Sequence, residues 1–321
     1  MELPRALRDT VDRTLAGVPA AELARAAAAL SQRYRAETRD GRHHVADDLA
    51  ARAYLATRLP ATFAAVRAAM AHTRDLRPDF SPRTLIDAGA GPGTVMWAAA
   101  DCWPGLEEAA LIEASAPMRR FGEQLAAQAP VGKVAWLAGD VARRIEASAP
   151  ADLVTLAYVL DELAPADLPM LVRRLWELTA DMLLIVEPGT PAGWSRILQA
   201  RDVLLGAGAR MVAPCPHALA CPLTPPDWCH FARRVARSRL HRVAKGGEVP
   251  WEDEKYSYLA VSRLAGALPQ ARVIAPPRQA SGRVTLKLCH ADGGTGEQMF
   301  SRRDGEAYRA ARRVGWGDAL P

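Results

Sequence analysis

No stretch of this 321-residue chain offers about eighteen consecutive apolar residues, so no membrane-spanning helix is expected. The opening Met1-Glu2-Leu3-Pro4-Arg5 lacks the apolar segment of a secretory signal, and the early acids Glu2 and Asp9 argue against an acid-poor transit peptide. These absences predict a cytoplasmic protein whose cysteines stay reduced unless a metal holds them. Aromatic residues are scarce, at 6%, and no internal repeat is visible. What the chain does have is apolar residues at 50%, enough for a sizeable core, and a length that suggests about two domains. The net charge of +5 fits nucleic-acid contact without requiring it, so the placement of the charge decides more than its sum.

Residues 1–80 read as a helical domain. Pro4 and Pro19 sit where helices begin, Ala21 to Arg35 is a strong helix former, and Ala50 to Arg74 repeats the signal with a break near Pro60. Arg33, Arg35, Arg39 and Arg42, with His43 and His44, read either as a solvated helical face or as an RNA-facing one. Residues 81–204 then alternate strands (Thr84–Asp87, Ala109–Glu113, Val134–Leu137, Asp152–Tyr158, Met182–Glu187) with helices (Thr94–Ala100, Met118–Gln128, Leu168–Thr179). That rhythm predicts an α/β fold with a doubly wound, Rossmann-like parallel sheet. Residues 205–250, rich in Pro, Cys and His and then in Arg, are expected as an insertion beside the sheet. Residues 251–321 are expected to complete the sheet through Tyr256–Ser262 and Val284–Leu288 and to end in a basic tail.

The first strand runs into Asp87-Ala88-Gly89-Ala90-Gly91-Pro92-Gly93 and then a helix. Glycines at 89, 91 and 93 permit a tight turn and close approach of the backbone to a ligand. The helix N-terminus beyond favours a negative group such as an amino-acid carboxylate. The spacing departs from Gly-x-Gly-x-x-Gly, which disfavours a dinucleotide. Glu113 ends the second strand, where an acid can accept from both hydroxyls of a ribose; Asp140 ends the third, within reach of an adenine amino group; Asp161, with Glu162, follows the fourth. This ordered set, Asp87, Gly89, Gly91, Gly93, Glu113, Asp140 and Asp161, resembles the class I S-adenosylmethionine methyltransferases. Catalytic residues are missing from the usual places. Amino methylation of bases calls for an Asn/Asp-Pro-Pro-aromatic segment, where this chain has Ala157-Tyr158-Val159-Leu160-Asp161, and no cysteine stands at the sheet edge as a nucleophile.

Three of the five cysteines fall as Cys215-x5-Cys221-x7-Cys229, and Cys289 ends a predicted strand sixty residues later. Four thiolates satisfy either a [4Fe–4S] cluster or a structural zinc ion, and His217, His230 and His290 flank the set. Cys102 lies apart and reads as a small core residue. From His230 to Lys245 the chain carries Arg233, Arg234, Arg237, Arg239, Arg242 and Lys245 and no acid. If helical, the stretch places Ala232, Ala236, Leu240 and Val243 on one face and leaves the cations to meet phosphates.

The segments Ala213-Pro214-Cys215-Pro216-His217, Cys221-Pro222, Trp228-Cys229-His230-Phe231, Glu252-Asp253-Glu254-Lys255-Tyr256-Ser257-Tyr258-Leu259 and Trp316-Gly317-Asp318 resemble the methyltransferase-like family of mitochondrial small-ribosomal-subunit assembly factors and their bacterial counterparts. The resemblance spans most of residues 80–321. It implies a class I methyltransferase fold, a [4Fe–4S] cluster on Cys215, Cys221, Cys229 and Cys289, and binding to the small ribosomal subunit and its rRNA. The resulting expectation is an S-adenosylmethionine-dependent, methyltransferase-like assembly factor, monomeric off the ribosome and with no membrane partner. A non-catalytic iron–sulfur factor and a small-molecule methyltransferase stand as alternatives.

Overall fold

The first four helices are α1 (Arg5–Leu15) and α2 (Ala20–Arg35), each preceded by a proline, then α3 (Asp48–Thr57) and α4 (Leu59–Leu76). Asp47 caps α3 by accepting from the Ala50 amide at 2.8 Å. The α3–α4 break falls at Arg58, and Pro60 occupies the first turn of α4, where its missing N–H costs nothing. The structure, a computed structural model, describes residues 1–36, 44–141, 145 and 149–320, so Arg39, Arg42 and His43 lie outside the described residues.

Five parallel strands follow: β1 (Thr84–Ala88), β2 (Glu108–Glu113), β3 (Lys133–Ala138), β4 (Ala151–Ala157) and β5 (Thr179–Pro188). Between them run α5 (Thr94–Cys102), α6 (Ala116–Ala126) and α7 (Leu168–Glu177). α8 (Pro191–Gly206), absent from the sequence reading, leads to β6 (Arg210–Ala213). β7 (Phe231–Ala236), α9 (Arg239–Lys245) and β8 (Trp251–Ser262) come next. The sheet order is β3-β2-β1-β4-β5-β8-β6, with β8 antiparallel to both β5 and β6. This is a doubly wound, Rossmann-like sheet with helices on both faces. One face buries Leu85, Leu111 and Leu184 together with Leu7, Leu23, Leu55, Phe63 and Met70 of the N-terminal helices, so those helices share the sheet's core. The other face packs α7 and α8 through Leu171, Leu175, Ile197 and Leu204. At the end of α4, buried Arg77 donates to the Ser262 hydroxyl at 2.8 Å and reaches Asp181 at 3.2 Å, tying the helices to β5 and β8.

Three expectations are corrected. The basic stretch is not one helix: Phe231–Ala236 is strand β7, paired with β8, and only Arg239–Lys245 is helical. Register with residues 251–256 of β8 makes the first segment a strand; Phe231 and Val235 are buried, and Arg233 and Arg234 are exposed. Residues 205–250 are not a mere insertion, because they supply β6 and β7 to the sheet itself. Val284–Leu288 lies within β11 (Arg283–His290) of a second, antiparallel sheet. There it joins β9 (Ala271–Val273), β10 (Arg278–Ala280), β12 (Thr295–Ser301) and β13 (Ala319–Leu320), over a small core of Val273, Val284, Leu286, Leu288 and Tyr308 from α10 (Gly305–Ala311). Among the described residues no helix is long and apolar enough to cross a membrane.

Candidate functional site

At the carboxyl ends of β1, β2 and β4 a cleft of about 860 Å³ is lined by Gly89, Gly91, Glu113, Asp140 and Asp161, five of the seven residues expected to hold a cofactor. Ligands of open α/β sheets sit at this edge. The loop is shaped by backbone: Gly89, Gly91 and Gly93 have φ of +70°, +54° and +79°. The amides of Gly89 and Ala90 both donate to the Ile112 carbonyl at 2.9 Å. A Cβ on Gly89 would stand 2.4 Å from Val159 Cγ2, whereas one on Gly91 would face the open cleft, with Tyr54 Oη nearest at 4.0 Å. Glu113 accepts from the amides of Gly91 and Ser115, each at 2.7 Å, and so locks the loop to the start of α6.

The other two expected residues lie under the cleft. Gly93 starts α5, and a Cβ there would touch Leu111 and Trp136. Asp87 is fully buried; its Oδ1 accepts from the Thr155 hydroxyl at 2.8 Å and its Oδ2 has no hydrogen-bond partner among the described residues. Burial pushes its carboxyl up to about 7, opposed by the Thr155 hydrogen bond.

The sequence reading missed the opposite wall. α2, α3 and α4 bring Tyr34, Tyr54, Arg58 and Thr62 over the cleft, and β8 brings Glu254. Arg58 lies over the Tyr34 ring at 5.5 Å and within 4.0 Å of Glu254, which also accepts from the Tyr158 hydroxyl at 3.2 Å. Tyr158 has φ +59°, a strained conformation for an aromatic residue, at the strand end where catalytic segments sit. Burial, then the Glu254 charge, pushes its phenol well up, so it is a donor and not a base. Glu162 is pushed up to about 8 by burial, then by Asp161, Glu113 and Glu187. The cleft is thus lined by six carboxylates, by the cations Arg35, Arg58 and Lys255, and by three phenols. No marker in the helical sequence announced Tyr34, Tyr54 or Arg58; the positive φ of Tyr158 exists only in the fold.

On the far side of β8, Cys215, Cys221, Cys229 and Cys289 line one cavity, joined by Arg201, Arg272 and His217 and by no Asp or Glu. All four are free thiols. Cys215 follows β6, Cys221 lies in the loop, Cys229 precedes β7 and Cys289 is near the end of β11, so two sheets contribute. The Cys229 thiol is pushed well up by burial, then by its three cysteine neighbours. Cys289 Sγ lies 3.4 Å from His217 Nε2. Arg272 is buried, and its Nη2 has no hydrogen-bond partner among the described residues. Four thiols facing a buried guanidinium that forms no ion pair among the described residues fit an anionic metal–thiolate group. Among the described residues, no three His, Cys, Asp or Glu side chains form a group able to hold a single metal ion.

Of the six basic residues, three are engaged. Arg234 makes a fork to Asp253 at 2.9 and 3.1 Å, while Arg237 and Lys245 both reach Glu252 at 2.8 Å. Burial of Glu252 is outweighed by His241, Lys245 and Arg237, which hold its carboxyl far below the usual range. Arg233 and Arg239 are exposed and Arg242 half-buried.

Residues 48–321 match the family described as mitochondrial small ribosomal subunit Rsm22. The chain belongs to the Rsm22 family. It is 33% identical over 288 residues to the human protein "Ribosome assembly protein METTL17, mitochondrial", covering 84% of this chain and 62% of that one. It is 22% identical over 328 residues to "Rsm22-cox11 tandem protein 2, mitochondrial" of Schizosaccharomyces pombe, covering 84% and 43%. The chain therefore spans less than two thirds of the length of these Rsm22 relatives. Similar solved structures include magnesium protoporphyrin IX methyltransferase from Synechocystis PCC 6803 with bound SAM (TM-score 0.43, 14% identity, 64% of this chain and 80% of that one). An O-methyltransferase family protein from Burkholderia thailandensis is another (TM-score 0.45, 15% identity, 74% and 68%). The cytoplasmic expectation is overturned: the family and both relatives are described as mitochondrial, and a first segment of mixed charge was too weak a signal to decide location.

Proposed function

We propose that this Rsm22-family chain binds S-adenosylmethionine in the glycine-loop cleft and acts on the small ribosomal subunit during its assembly, with rRNA as the contacted partner. The observation that carries the cofactor half is the convergence of Gly89, Gly91, Glu113, Asp140 and Asp161 on one cleft. The cofactor supplies an activated methyl group on a cationic sulfonium. The chain's part is to bind and orient it. The N-terminus of α5 favours its carboxylate. Glu113, whose carboxylate holds the Gly91 and Ser115 amides, would face the ribose hydroxyls, and Asp140 the adenine amino group. The six carboxylates lining the cleft outnumber its cations Arg35, Arg58 and Lys255, which favours a cationic ligand. Isothermal titration with S-adenosylmethionine tests this; no heat at millimolar ligand sinks it.

The non-catalytic reading is favoured by one observation. The strand-end position that would hold a base carries Tyr158, whose phenol donates to Glu254 and stays protonated. Methyl incorporation into small-subunit rRNA by wild type, lost in a cleft variant, would decide for catalysis.

The cysteine cavity is read as the site of a [4Fe–4S] cluster, with zinc as the alternative. The residues holding it would be Cys215, Cys221, Cys229 and Cys289. Sulfurs arranged around a cavity suit a cluster, whose ligands stand farther apart than around a single tetrahedral ion. Iron, sulfide and zinc analysis of anaerobically purified protein separates the two.

A further inference from the structure

Two arginines line the cysteine cavity, and no Asp or Glu lines it with them. Arg272 is 2% exposed and forms no ion pair among the described residues. Its Nε donates to the Pro214 carbonyl and its Nη1 to the Gly317 carbonyl, both at 2.8 Å, which leaves Nη2 buried without a partner. Arg201, also 2% exposed, donates from Nη2 to the carbonyls of His217 at 3.2 Å and Leu219 at 2.5 Å. Its guanidinium bears on the Cys215 thiol, and its one carboxylate contact, Asp202 at 3.8 Å, is to a side chain 79% exposed. Both arginines therefore grip the backbone of the loop that carries Cys215, and both line the space the four thiols line. Burying an uncompensated cation costs several kcal/mol, about the penalty of an unpaired buried ion. Two buried guanidinium groups in one cavity whose lining holds no acid favour an anion there.

We infer that Arg272 and Arg201 are charge-balancing and positioning residues for an anionic metal–thiolate group held by the four cysteines. The inference rests on the metal reading above. Four thiolates around a doubly positive core leave two negative charges, and two guanidinium groups match them. Arg272 stands directly across the strand pair from Cys289, so its fork is placed by β-sheet register and not by a flexible loop. Arg201 is fixed on α8, which leads into the strand preceding Cys215. The pair therefore does two things. It supplies hydrogen bonds and charge to the group, and it makes the Cys215 loop take its shape before the group arrives. A fixed positive charge beside a redox centre also raises its reduction potential, one of the levers by which proteins tune such centres.

The test uses the full chain purified anaerobically, as wild type, R272M, R201M and R272K. For each protein, metal per chain, the midpoint potential and the melting temperature before and after chelator are measured. The melting gain due to metal cancels contributions common to both states, such as the bonds to Pro214 and Gly317. The expected result is a smaller metal-dependent gain in R272M and R201M than in wild type. The oxidised-to-reduced ratio at fixed poise should also rise about tenfold, ~59 mV to the negative for a one-electron couple. R272K keeps the charge and loses the fork, so it should recover the potential more than the melting gain. If the metal is zinc, the melting gain alone is decisive. A loaded wild type with variants of equal gain, and equal potential where the metal is redox-active, overturns the inference and leaves the metal reading standing. A wild type that holds neither iron nor zinc overturns both. Should R272M fail to fold, R201M carries the same comparison from a different element.

Discussion

Cys289 and Arg272 occupy directly opposed positions on the antiparallel strands β11 and β9. One thiol of the cavity thus comes from the second sheet, and the other three come from the segment between β6 and β7 of the first. Any group held by all four cysteines joins the two sheets. Structural metal sites supply folding energy. Cys289→Ser is therefore expected to lose metal, lower the melting temperature by roughly 2–4 °C for each kcal/mol removed, and speed amide exchange over residues 214–230. Metal content and exchange matching wild type would remove Cys289 from the ligand set.

The glycine loop separates fold from ligand at neighbouring positions. A side chain at Gly91 incurs about 1–2 kcal/mol for its left-handed backbone but meets open cleft. At Gly89 the same strain is joined by a 2.4 Å clash with Val159, adding about 1–3 kcal/mol. Gly89→Ala is expected to melt well below wild type. Gly91→Arg is expected to melt slightly below it and to lose S-adenosylmethionine binding. Calorimetry and thermal melts on the two proteins check this; a Gly91→Arg protein that binds normally would place the ligand elsewhere.

The alternation of five strands with helices was legible because each parallel strand here is a short, nearly continuous apolar run bounded by turn residues, as in Thr84–Ala88 and Ala151–Ala157. The cleft's floor was legible because strand ends and glycines fix it. Its other wall was not, since nothing in α2 to α4 tells a half-buried Tyr34 or Arg58 that faces the cleft from an exposed one. Residues 231–236 misled for a clear reason. Alanine and arginine favour helix, and tertiary pairing overrode them. The overlooked signal was the acidic Glu252-Asp253-Glu254 run: β7 sets Arg233 opposite Glu254 and Arg234 opposite Asp253. The second sheet was missed because Val284–Leu288 carries a strand pattern that does not name its partner sheet.

Glu162 gives the cleft a pH dependence. Its carboxyl is raised to about 8 in the folded protein, against an ordinary value of 4.5. Between those values the folded state keeps a proton that the unfolded state has released. Stability from this group is complete below the lower value and is lost as pH rises through the upper one. With 36% of the side chain exposed, solvent screens part of the effect, so its direction is what the experiment reads. The ligand-free melting temperature should fall from about pH 5 to about pH 9, and more steeply in wild type than in Glu162→Gln. Binding of a cationic ligand should strengthen over the same interval as the carboxylate forms. Equal slopes for the two proteins would assign the dependence to another group.

The arginine strand makes a prediction about which cations reach RNA. Counterion release gives each phosphate contact about one unit of slope in the salt dependence of binding. Arg237 and Lys245 are held by Glu252, and Arg234 by Asp253, so their charges are matched within the β7–β8 hairpin and α9. Arg233 and Arg239 are exposed to solvent. Arg239→Glu and Arg233→Glu should each weaken binding to small-subunit rRNA and lower the salt slope by about one. Arg239→Glu should do so at little cost in melting temperature, whereas Arg233→Glu also sets an acid opposite Glu254 and should lower it. Arg237→Gln should do the reverse. It frees Glu252 from one partner in a half-buried cluster with His241 and Lys245, destabilises by about 1–3 kcal/mol, and changes the salt slope little. Filter binding across a salt series, with melts on the same proteins, separates the two patterns. A lost slope in Arg237→Gln with none in Arg233→Glu or Arg239→Glu would move the RNA contact to the other face of the hairpin.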